Sequence, residues 1–70
     1  MNPTLLWYES KAGIHTLTVD GVAHAFVEPH LDRWHIRVIR GGIQTATADT
    51  LQLAKAEAER QARAYHQTLR

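Results

Sequence analysis

The chain has 70 residues, with 8 Lys and Arg against 7 Asp and Glu, five His, no Cys and a formal net charge of +1. A chain this short buries only about 60% of its unfolded surface, which limits it to one small core and excludes two-lobed nucleotide folds and barrel enzymes. The lack of Cys excludes a disulfide framework, a thiolate zinc site and a cysteine nucleophile.

No apolar run approaches the roughly 20 residues that cross a bilayer. Residues 1–7 lack a basic flank followed by a long apolar stretch, so no signal peptide is expected. The expectation is a single cytoplasmic domain over 1–70, with no membrane association.

Leu5, Leu6, Trp7 and Tyr8 read either as a short first strand or as a tail packed on the core. Residues 14–19, IHTLTV, are rich in β-branched side chains and predict a strand. Asp20-Gly21 follows, then a second run at 22–28, VAHAFVE. An Asp-Gly pair between such runs signals a hairpin, because Gly tolerates positive φ in a tight turn. Pro29 should end the second run, having no N–H for a ladder. A third strand is expected over 33–40, RWHIRVIR, then a Gly41-Gly42 turn and a short edge strand over 43–47.

A helix is expected over 50–67, capped by Asp49 or Thr50; Asp49 with Gln52 fits a capping box. The segment has no Gly or Pro and is rich in Ala. Leu51, Ala54, Ala58, Ala62, Tyr65 and Leu69 recur at spacings of three and four, forming one apolar stripe. Glu57, Glu59, Arg60 and Arg63 fall on the wet side. The fold class that follows is α+β: an antiparallel sheet of three or four strands packed on one C-terminal helix.

Register decides which side chains remain outside. A two-residue turn at Asp20-Gly21 sets Val19 against Val22, Leu17 against His24 and His15 against Phe26, and opposed residues share a face. If residues 29–33 form the next loop, Trp34, Ile36 and Val38 join Leu17, Val19, Val22 and Phe26 in the core. Thr16, Thr18, Ala23, Ala25, His35 and Arg37 then face outward. A loop one residue shorter reverses the third strand. Apolar burial contributes about 25 cal/mol per Å², which favours the version that buries Phe26 with Trp34.

The chemistry-bearing residues are few. Ser10 is the sole Ser and has no Gly elbow, and Glu28, His30 and Asp32 could supply acid–base groups near the second loop. His15, His24 and His35 would come together for a metal only in the disfavoured register, and no HExxH is present. No enzyme, metal or cofactor is expected.

Charge is uneven. Residues 1–32 carry Lys11 against Glu9, Asp20, Glu28 and Asp32, a net −3, and the remainder carries +4. Arg33, His35 and Arg37 alternate and so project to one face, with Arg40 near the strand end on the other side. Arg suits phosphate and carboxylate partners because its fork donates two parallel hydrogen bonds. The expected partner-binding residues are Arg33, His35, Arg37, Thr16 and Thr18.

The run from Trp34 to Tyr65, WHIRVIR…TATADTLQLAKAEAERQARAY, resembles the second half of two DNA-binding modules. These are the plant ethylene-response-factor domain and the arm-binding domains of phage-type integrases. Both place a strand before a Thr-capped, Ala-rich helix, and the resemblance implies a three-stranded sheet that reads the DNA major groove. ADTLQLAKAEAE is similar to the helix start of HicB antitoxins. Size and make-up resemble small phage and mobile-element proteins such as anti-CRISPR inhibitors. The leading expectation is a small non-enzymatic binding protein, an inhibitor that occludes a site on a larger host protein or nucleoprotein complex. The alternatives are a DNA-binding module and a homodimer through the edge strand.

Overall fold

Asp20 and Gly21 both have positive φ, 52° and 83°. That backbone matches the right-handed twist of the strands it joins, as a two-residue turn requires. Val19 pairs with Val22 across it. The structure is a computed structural model that describes residues 3–40 and 44–68. The Gly41-Gly42 turn, Ile43 and Leu69 lie outside the described residues.

The elements are β1 (Leu5–Glu9), β2 (His15–Val19), β3 (Val22–His30), β4 (Arg33–Val38), β5 (Gln44–Ala48) and α1 (Leu51–Thr68). They form an α+β fold: one antiparallel sheet in the order β1-β2-β3-β4-β5, with α1 packed on one face. The sheet has five strands rather than three or four, because the ambiguous N-terminal segment pairs with β2, Trp7 opposite Leu17. A turn secures it, in which Ser10 N donates to Ile14 O and Gly13 N to Ser10 O.

Two expectations about β3 are corrected. The strand does not stop at Pro29 but runs to His30, and the β3–β4 connection is two residues long rather than five, with His30 paired to Arg33. Pro29 is tolerated because β2 pairs with β3 only as far as Val27, so β3 is locally an edge there. The second correction concerns register. Thr18 pairs with Ala23, but Leu17 pairs with Ala25, so His24 is the extra residue of a β-bulge. His15 therefore opposes Val27 and Thr16 opposes Phe26.

The bulge sends Phe26 to the opposite face from Trp34 and brings Ala25 inward, the reverse of the expectation for both. Val22 opposes Val19 as expected but lies 46% exposed at the sheet end. Trp34, Ile36 and Val38 do face the helix. The core is Leu17, Val19, Ala25, Val27, Ile36 and Val38 against Ala54, Ala58 and Ala62, with Leu5, Trp7, Trp34 and Leu51 packed around it. The three helical Ala are fully buried, so the backbone of α1 lies close to the sheet.

Thr50 caps the helix: its Oγ1 accepts from Leu53 N at 3.1 Å. Asp49 instead meets Arg33. Trp7 ties β1 to the helix, donating from Nε1 to Glu59 Oε2 at 2.8 Å, while Lys55 Nζ lies 5.2 Å from its ring centroid.

Candidate interaction surface

The face away from α1 is built by strand alternation. Cross-strand pairing produces a row Tyr8–Thr16–Phe26–Arg37–Thr45 over all five strands. Beside it run Leu6–Thr18–Ala23 on one side and Glu28–His35–Thr47 on the other. His30 and Arg33 close the far end. The five residues expected to bind a partner, Arg33, His35, Arg37, Thr16 and Thr18, all lie on this one face.

Several of its polar groups find partners within the fold. Arg33 Nη2 lies 3.0 Å from Asp49 Oδ1. His35 Nδ1 lies 3.5 Å from Glu28 Oε1, and the His30 and His35 rings are 6.4 Å apart. Arg37 sits over Phe26, its Cζ 5.2 Å from the ring centroid, a cation–π placement. Leu6 and Tyr8 on β1 are 49% and 57% exposed. The surface is thus aromatic and hydroxylated, with one Arg presented on an aromatic ring.

Phe26 and Tyr8 were missed in the sequence. The alternation Leu6, Trp7, Tyr8, Glu9 is a signal that could have placed Tyr8. Phe26 had none, because Ala23, His24 and Ala25 carry no glycine to mark a bulge.

The other polar candidates are dispersed. His15 and His24 lie on the helix side, and His35 on the open side. His15 is buried edge-on to Trp34, and His24 edge-on to Tyr65, with ring centroids 5.8 and 5.5 Å apart. His24 Nε2 has no hydrogen-bond partner among the described residues. Burial, reinforced by the charges of His66 and Arg40, holds its pKa below the ordinary 6.5. Among the described residues no group of three or more His, Asp and Glu is placed to hold a metal ion. Ser10 Oγ accepts from Ile14 N, so the hydroxyl serves its turn. Glu28 and His30 stand on the open face, and Asp32 lies in the exposed β3–β4 turn.

No α1 window among the described residues is long and apolar enough to cross a membrane. Fold and surface together define a helix-backed sheet with one uncovered face. No protein-family model, curated protein or solved structure matches the chain.

Proposed function

We propose that this chain is a non-enzymatic binding protein that docks on a larger protein through the open sheet face. The observation that supports it is the row Tyr8–Thr16–Phe26–Arg37, in which the exposed Tyr8 ring and the half-buried Phe26 ring flank a Thr and Phe26 carries a guanidinium. Tyr, Phe and Arg are the residues enriched at protein interfaces. An uncovered sheet face covers a partner's site rather than enclosing a substrate, so the mode of action is occlusion. An inhibitor of phage or mobile-element type, acting on a host protein or nucleoprotein complex, is the finer form of this reading; it rests on size and on that uncovered face.

Charge separates this reading from DNA binding. Phosphate contacts supply most of the affinity of a nucleic-acid binder. On this face Arg33 is held by Asp49 and His35 stands beside Glu28, which leaves Arg37 as the principal presented cation among the described residues.

The test is photo-crosslinking in the expressing cell, with the reactive group at Thr18 on the open face or at Gln52 on the exposed side of α1. The expected result is a protein adduct from Thr18 that is absent from Gln52 and lost on Phe26→Ala/Arg37→Ala. Adducts from Gln52 alone, or micromolar duplex binding that falls steeply between about 50 and 200 mM salt, would overturn it.

A further inference from the structure

We propose that β5 is a self-pairing edge, through which two copies of the chain join antiparallel, β5 to β5, about a two-fold axis at Ala46. The two ends of the sheet are unlike. β1 carries Glu9 along its edge, and its start is tied down by Thr4, whose N donates to Asp20 Oδ1 and whose O accepts from Asp20 N. β5 is Gln44–Ala48, QTATA, with no charge and no Pro, and its ladder to β4 is regular along its whole length. Among the described residues no strand pairs with its outer side. Exposed edges are ordinarily blunted by charge, Pro or a bulge, because their unpaired N–H and C=O groups template another strand. This edge has none of the three.

The occupant follows from the sequence of the strand itself. A two-fold contact must be self-complementary. Thr45-Ala46-Thr47 reads the same in both directions, so an axis through Ala46 sets Thr45 opposite Thr47 of the second copy, twice over. Both Thr are exposed on the open face, where opposed Thr side chains stabilise a strand pair. Ala46 meets its counterpart on the helix side. There α1 leaves a cleft of about 40 Å³ lined by Ile36, Val38 and Ala46, with Glu57 and Gln61 also on its wall. The second copy would adjoin this cleft and extend its apolar wall.

An axis perpendicular to the sheet keeps both helices on one side. The open faces then form one continuous surface. The row Phe26–Arg37–Thr45 of one copy continues into Thr47–His35–Glu28 of the other. The two β4 strands lie three inter-strand spacings apart, about 14 Å. This assembly does not depend on the docking reading, since it concerns the edge and not the face.

Sedimentation equilibrium of the purified chain tests it. Wild type should run at twice 7.9 kDa. T45K/T47K places like charges opposite each other and should give a monomer with unchanged circular dichroism. T45K/T47E carries the same number of substitutions but sets opposite charges together in this register, and should restore the dimer. L6K/Y8K on β1 should leave it dimeric. A monomeric wild type, as expected if a foreign strand is the true occupant, would overturn the proposal. So would equal masses for T45K/T47K and T45K/T47E, or dissociation by L6K/Y8K.

Discussion

The two faces of this sheet solve different problems with the same alternating strands. The covered face meets a helix whose stripe is Ala54, Ala58 and Ala62, all fully buried, so its own bulk comes from the strands: Leu17, Val27, Ile36 and Trp34. The open face meets no element of the fold and holds Thr, paired polar groups and two aromatic rings. Burial on the first stabilises the fold; exposure on the second has no such return. Tyr8, 57% exposed, and the half-buried Phe26 leave apolar area in water there, which the proposed docking would cover.

Breaking each face should have unequal consequences. Leu17→Ala removes a fully buried side chain and should cost about 2–5 kcal/mol in a urea titration, which could unfold a domain this small. Phe26→Ala should cost less, about 1–2 kcal/mol, from its partial burial and its contact with Arg37. Similar losses from both would show that the faces are not distinct.

Ala58→Leu probes the close approach of helix and sheet. Overpacking there should destabilise by about 1–3 kcal/mol with no loss of helix propensity, whereas the same change at exposed Gln52 should be near neutral. A neutral Ala58→Leu would mean that the helix stands further off the sheet.

The buried His24 makes the covered face sensitive to acid. Its folded pKa is depressed by burial first, then by His66 and Arg40. The unfolded chain therefore takes up that proton first as the pH falls through 6.5. Stability is fully present above that value and declines as the pH drops toward the folded pKa. His24→Leu should flatten the decline below pH 6.5, measured by chemical unfolding at each pH. An unchanged slope would place the pH dependence in other groups. Glu57, held below its ordinary 4.5 mainly by the Arg60 hydrogen bond, acts in a separate and lower window.

Leu31 carries the smallest expected effect, read from the same urea titration. It has φ of 58° and is 92% exposed in the β3–β4 turn. Leu31→Gly should stabilise by up to about 1 kcal/mol by removing a left-handed branched residue.

These differences explain what could be read from the chain beforehand. Asp20-Gly21 fixed one turn, because few residues accept positive φ. The Ala stripe fixed the helix and its buried side. Trp34, Ile36 and Val38 were correctly directed inward by their alternation. The placement of Phe26 depended on one extra residue, and His24 inserts it without any local signature. Pro29 signals a stop only for a strand paired on both sides: β2 ends opposite Val27, at His15, which makes a Pro harmless there. The five proposed contact residues were legible as a set because alternation alone puts Arg33, His35 and Arg37 together, and Thr16 and Thr18 together.

The most direct measurement is the affinity of the protein partner captured from Thr18 for wild type and for Phe26→Ala/Arg37→Ala. The double substitution should weaken binding at least about tenfold, while the variant still unfolds cooperatively in urea. Equal affinity in a folded double variant would contradict a docking role for the open face.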